Sequence, residues 1–281
     1  GLAVSTGSAL DDKHETHAPA KVNPPRQAAP ATEHGKHEPE KPAAAAPAKA
    51  PAEFGLAAGT PRKEAVAKLS VEPVNGPVSA DDAVALLRAG NARWVENQNA
   101  NPAADTGRRR TTSLEGQHPF ATILTCADSR LPVERIFDRG VGELFVLRVA
   151  GNVVGTNEAG TIEYSTEHLK VPLLVVMGHT RCGAVAMASS SQAGEANEVP
   201  SNIAGLLASI EPAVARARKA DPAAEEAALA AAAVRENVWQ SIFDLIRFSG
   251  PVRAQLREGK LRIVGAVCDV TDGQVTWLGE H

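Results

Sequence analysis

Two short polar motifs, each set at the end of an apolar run, constrain this chain more than anything else in it. Cys126-Ala127-Asp128-Ser129-Arg130 follows Ala121-Thr122-Ile123-Leu124-Thr125, and His179-Thr180-Arg181-Cys182-Gly183-Ala184 follows Val171-Pro172-Leu173-Leu174-Val175-Val176-Met177. Short apolar runs without alternation read as strands buried on both faces, which is the habit of parallel sheets. In open α/β sheets ligands bind beyond the carboxyl ends of the strands. The two motifs therefore deliver two thiols and an imidazole to one rim. Cys2His is a ligand set of zinc sites that leave the fourth coordination position to water or substrate, so Cys126, His179 and Cys182 are the expected metal ligands.

The segments around the motifs fit the same architecture. Glu143 to Val149 reads as a further buried strand, ending in Ala150-Gly151-Asn152, and Asn157 to Lys170 as a helix crossing over to the strand before His179. This alternation argues for an α/β fold: a mostly parallel central sheet with right-handed crossovers, flanked by helices. Ser79-Ala80-Asp81-Asp82 is a helix start with acids in the first turn. Val84, Leu87, Trp94 and Val95 then recur at helical spacing, giving that helix one face for the core or for a partner subunit. A polar loop is expected through Arg108-Arg109-Arg110, and a short helix beginning at Pro132. Residues 199–248 read as helical, broken at Pro212 and Pro222. Leu261 to Val267 supplies another strand, and Asp272-Gly273 turns into Val275-Thr276-Trp277-Leu278, a hairpin partner at the sheet edge.

Other chemistries for the cysteines fail on spacing. A phosphatase-type nucleophile needs Cys-x5-Arg to wrap phosphate, and Cys126 to Arg130 is Cys-x3-Arg. A closed four-ligand zinc site needs a further ligand, and Cys268, the third and last cysteine, lies within an apolar strand as an ordinary core residue. The fourth neighbour is instead Asp128, two residues after Cys126, with Arg130 two further on. An arginine gripping that carboxylate keeps it ionised and fixes its orientation. So held, Asp128 would accept a hydrogen bond from a zinc-bound hydroxide; released, it could bind the metal and close the site. The spacing encodes a catalytic pair, a lock, or both.

The first 75 residues are of another kind. Ala, Pro, Lys, Glu and His dominate, with too few large apolar side chains to offset the entropy of ordering, so residues 1–75 read as a disordered tail and 76–281 as the folded domain. The tail holds His14, His17, His34 and His37, read as part of a polar low-complexity linker. It resembles the spacer behind a bacterial export signal, and a first residue of Gly1 fits a processed terminus and an exported, periplasmic protein. The formal net charge of −4, with both signs well represented, gives no reason to expect a nucleic-acid partner, and no stretch is long and apolar enough to span a membrane.

Taken together, the motifs resemble those of the β-class carbonic anhydrases. The matching features are Cys-x-Asp-x-Arg at 126–130, His-x-x-Cys-Gly at 179–183, Arg148 with Ala150-Gly151-Asn152, and Gly265-Ala266-Val267-Cys268-Asp269-Val270 near the end. The resemblance covers about residues 78–281. It implies one Zn2+ per chain on Cys126, His179 and Cys182, a dyad of Asp128 and Arg130, and interconversion of carbon dioxide and water with bicarbonate and a proton. It also implies a homodimer at minimum. In the plant-like branch a Gln nine residues before the first Cys binds substrate across the dimer interface, and that position is Gln117. Phe145 and Tyr164 resemble the aromatic residues of the substrate cleft, Gly183 follows the last ligand there, and Ala150 replaces a customary Val, which implies a wider cleft. The bicarbonate-regulated branch carries Trp where this chain has Ile123, so the resemblance favours the plant-like, open form. Two thiolates cancel the formal charge of the ion, so activity should favour alkaline conditions. The alternatives are hydrolysis of carbon disulfide or carbonyl sulfide on the same scaffold, and a non-catalytic zinc protein closed by Asp128.

Overall fold

The structure is a computed structural model and describes residues 72–74, 77–190 and 200–281. The tail expected over 1–75, with its four histidines, falls almost wholly outside the described residues. The chain forms helices α1 (Ala80–Val95) and α2 (Thr106–Glu115), strand β1 (Ala121–Thr125), the single turn α3 (Val133–Ile136) and strand β2 (Leu144–Arg148). Then come α4 (Thr156–Glu163), strand β3 (Leu173–His179), α5 (Gly183–Ser189), α6 (Ser201–Ala208), α7 (Glu211–Ala220), α8 (Glu226–Phe248), α9 (Gly250–Arg257), and strands β4 (Arg262–Cys268) and β5 (Val275–Glu280). The five strands lie in the order β2-β1-β3-β4-β5. The first four are parallel and β5 runs antiparallel to β4 at the edge, as the Asp272-Gly273 turn requires.

The apolar runs are buried because helices cover both faces of the sheet. Every residue of β1 and β3 is buried. Gly265 of β4 faces Val238 and Trp239 of α8 and shares that side with Leu278. Trp277, the next residue along β5, points the other way, under the guanidinium of Arg88 from α1 and beside Phe137. α1 begins as expected, with the Ser79 hydroxyl accepting the Asp82 N–H at 3.1 Å, and buries Ala83, Val84, Leu86 and Leu87. No helix among the described residues is long and apolar enough to cross a membrane.

Two expectations need correction. Arg108-Arg109-Arg110 lie not in a loop but in α2, started by the Asp105 carboxylate accepting the Arg108 N–H at 2.8 Å. This helix buries none of its residues and leaves Leu114 77% exposed. The crossover helix changes pitch: after α4, Tyr164–His168 form a turn of π-helix, whose extra residue re-aims the side chains beyond it. The break expected at Pro212 is present: α6 ends at Ala208, and α7 starts at Glu211 with Pro212 in its first turn, where its missing N–H costs nothing.

Gly90 marks the tightest approach of α1 to the body of the fold. A Cβ there would lie 1.8 Å from the carbonyl oxygen of Phe137. Alanine at a helical glycine normally gains about 1 kcal/mol, but overpacking against backbone costs about 1–3 kcal/mol. The clash is with backbone, so the upper end of that cost applies and Gly90→Ala is expected to lower the stability by roughly 2 kcal/mol, read from urea unfolding; a stabilised variant would show that α1 can move away freely.

Candidate metal centre

The register of β1 and β3 brings the two motifs together. Thr125 pairs with Met177, so Cys126 and His179 leave neighbouring strands at the same carboxyl rim, and Cys182 caps the amino end of α5 just beyond. The ligand atoms of Cys126, His179 and Cys182 all lie within 4.8 Å of one another, and all three residues are buried. Tetrahedral zinc, with bonds of about 2.0–2.3 Å, sets its ligand atoms about 3.5–3.8 Å apart, so a small inward movement would close the three on one ion. The imidazole shows the same fit. His179 Nδ1 lies 3.0 Å from the Thr180 carbonyl, which can only accept, so Nδ1 is the donor. His179 Nε2 is then a lone pair, buried and without a hydrogen-bond partner, the form in which histidine binds metals.

The thiols are an unequal pair. A hydrogen bond from Cys182 lowers the pKa of the Cys126 thiol against its burial, and the N–H groups of Gly151 and Asp128 lower it further. Cys182, the donor, is pushed up by that hydrogen bond and by burial. Cys126 and Cys182 would both hold a divalent cation as thiolates, so its binding would release the remaining proton. Gly151 explains its own identity. Its N–H reaches Cys126 Sγ at 3.3 Å and its carbonyl accepts from Asn237 Nδ2 at 2.6 Å. This needs φ of +68°, and a Cβ would stand 2.7 Å from Ile210 Cδ1, so only glycine fits.

Beside the ligands, Asp128 and Arg130 form a bidentate pair. Oδ1 accepts from the Arg130 N–H and Nε at 2.9 Å each, and Oδ2 accepts from Nη2 at 2.7 Å. These bonds hold the carboxyl of Asp128 well below the usual carboxylate range. Oδ2 stands 3.9 Å from His179 Nε2, beyond a hydrogen bond but at the mouth of the ligand set. Arg130 Nη2 also donates to the Arg181 carbonyl at 3.2 Å. Arg148 donates to the carbonyls of Cys126 (3.2 Å) and Asp128, fixing the backbone of the first motif.

Of the expected site residues, Cys126, Asp128, Arg130, His179 and Cys182 gather here, with Gly183 exposed just beyond Cys182 and Ala150 next to Gly151. Gln117, Phe145 and Tyr164 do not. Phe145 pairs with Thr122, four residues before Cys126, or about 13 Å along the strand. Gln117 is exposed and precedes the start of β1. Tyr164 lies on the same side, since its neighbour Ser165 bonds Thr122 at 2.9 Å. These three residues form the opposite rim of the sheet. There Tyr164 stacks between Phe145, at 6.2 Å between ring centroids, and His168, at 5.2 Å. Sequence reasoning gave His168 no role; its distance of four residues from Tyr164 was the available signal.

The sequence and the fold have known counterparts. The carbonic anhydrase family profile matches residues 121–275. A carbonic anhydrase of Mycolicibacterium smegmatis is 35% identical over 204 residues, spanning 72% of this chain and 94% of the relative. Carbonic anhydrase 2 of Mycobacterium tuberculosis is 32% identical over 209 residues, spanning 74% and 96%. Among solved structures, the tetrameric β-carbonic anhydrases of Sordaria macrospora match with a TM-score of 0.55 at 25% identity, over 68% of this chain and 94% of that one.

The purified protein should carry about one zinc per chain, and Cys126→Ser or His179→Ala less than roughly a tenth of that. Metal content by plasma emission decides it. Full zinc in the His179→Ala protein would mean that the metal sits elsewhere.

Proposed function

The chain belongs to the β-class carbonic anhydrases, and from that premise we propose that it interconverts carbon dioxide and water with bicarbonate and a proton. The observation that carries the reading is the Asp128–Arg130 pair at the mouth of a buried Cys2His set. Zinc on Cys126, His179 and Cys182 supplies Lewis acidity, which lowers the pKa of water from about 15.7 toward neutrality and makes it a usable nucleophile.

The residues of the chain do the rest. Asp128 can only accept hydrogen bonds while ionised, and Arg130 keeps it ionised with Oδ2 turned toward the ligands. It therefore accepts a hydrogen bond from the attacking group, which turns a lone pair of that group toward the carbon. The same grip withholds Asp128 from the metal, which supports the plant-like, open form over a site closed by its own carboxylate. Ala150 and the open face of Gly183 leave room for a small linear substrate.

In this reading Gln117, Phe145 and Tyr164 serve the site of a second copy. They form one rim of the sheet while the ligands form the other, so a two-fold assembly can set the first rim against the second. Gln117 then donates to a substrate oxygen across the interface, and Phe145 and Tyr164 wall the cleft. The exposed imidazole of His168, stacked on Tyr164, carries the released proton to solvent. The minimum active unit is a homodimer, and the catalytic domain is 76–281.

Carbon dioxide hydration by zinc-loaded protein, followed by stopped flow from pH 7 to 9, should show activity that rises with pH. Silence throughout would leave a non-catalytic zinc protein. Arg130→Ala should lose at least about 100-fold in kcat, and undiminished activity there would remove the dyad from the mechanism. Gln117→Ala should lose activity while its zinc content and its mass by light scattering stay those of the parent.

A further inference from the structure

We propose that Asp269, acting through the hydroxyl of Thr180, is a positioning residue that sets both the metal-binding imidazole and the dyad arginine. The proposal rests on the site described above. The segment Gly265–Val270 stands out in the sequence, yet the chemistry proposed for the site uses none of its side chains. Its end is nevertheless in contact with the second motif.

Two carbonyls of one dipeptide hold the two halves of the site. The Thr180 carbonyl accepts from His179 Nδ1, which turns Nε2 toward the thiols, and the Arg181 carbonyl accepts from Arg130 Nη2. Arg181 achieves this with φ of +55°, a left-handed conformation that an arginine holds only when its surroundings impose it. Its neighbour Thr180 is held by bonds from the end of β4. Thr180 N–H donates to the Cys268 carbonyl at 2.9 Å, Thr180 Oγ1 donates to Asp269 Oδ1 at 3.2 Å, and the Val270 N–H donates to Thr180 Oγ1 at 3.1 Å.

Asp269 is itself held firmly. Oδ1 also accepts the Thr271 N–H at 2.7 Å, its own N–H donates to the Gln274 carbonyl, and its carbonyl accepts the Gly273 N–H. The turn so formed is tied to α1, because Asn91 Nδ2 donates to the Gly273 carbonyl and Asn91 Oδ1 accepts the Val275 N–H. A rigid support thus runs from α1 through the β4–β5 turn to Asp269, Thr180 and the site. Without the Thr180 hydroxyl, one acceptor contact of Asp269 and the Val270 N–H lose their partner. The dipeptide is then free to relax, moving imidazole and guanidinium together.

The test uses the full chain loaded with zinc, and with cobalt(II) in its place, in four variants: Thr180→Val, Thr180→Ser, Asp269→Ala and Asp269→Asn. Outer-shell partners of metal ligands typically carry about 10–100-fold in metal affinity or activity. Thr180→Val and Asp269→Ala should release zinc to a chelator about 10–100-fold faster, shift the visible absorption of the cobalt form and lower kcat with little change in KM. Thr180→Ser and Asp269→Asn keep the hydrogen-bonding atoms and should restore all three. Parental zinc release and cobalt absorption in Thr180→Val would overturn the proposal, as would a Thr180→Ser protein no better than Thr180→Val. If Thr180→Val does not fold, the two Asp269 variants make the same comparison. Metal release and absorption respond whether or not carbon dioxide is hydrated, so a parent protein without hydration activity would refute the function and leave the positioning role standing.

Discussion

The parallel pairing of β1 with β3, and of β3 with β4, is the constraint from which the site follows. β3 and β4 end level and β1 two residues earlier, and what comes next in the chain is chemistry: Cys126 after β1, Thr180 to Cys182 after β3, Asp269 after β4. Strands buried on both faces cannot slip without moving an entire apolar set. A one-residue shift of β3 would turn every side chain to the other face and carry His179 away from Cys126. The precision of a three-ligand site is thus supplied by non-polar packing that touches no ligand. The polar bonds around the rim refine positions that the sheet has already made approximate.

Much of this was legible in the sequence because the signals were local. The apolar runs, the N-cap at Ser79 and the Asp272-Gly273 turn each act within a few residues, and the structure reproduces them. The Asp128–Arg130 pair was readable for the same reason, since its partners are only two positions apart. What escaped depends on distance or on the absence of burial. Thr180 and Asp269 are 89 residues apart, and nothing in either neighbourhood announces the other. α2 buries no residue, so it carries no apolar period, and only Asp105 at its start could have revealed it. The π-turn at Tyr164 changes the number of residues per turn within a helix, which a fixed helical period cannot register.

Electrostatics divides the rim into fixed and adjustable parts. The thiols and the imidazole are buried, while Arg130 is about half exposed and Asp128 lies between. The ligand set is therefore insulated from solvent, and the pair that attends its mouth is not. Arg130 has two commitments, to Asp128 and to the Arg181 carbonyl, so its position reports on both motifs at once.

The opposite placement of the ligands and of the Phe145–Tyr164–His168 stack has a consequence for mixed assemblies. In the two-fold assembly proposed above, every site draws its metal from one copy and its aromatic wall from the other. A copy with a ruined wall and a copy with ruined ligands are each inert when paired with themselves. Joined to one another, they make one site that has lost both parts and one that is whole. Two different defects would then complement each other, and two identical ones never would.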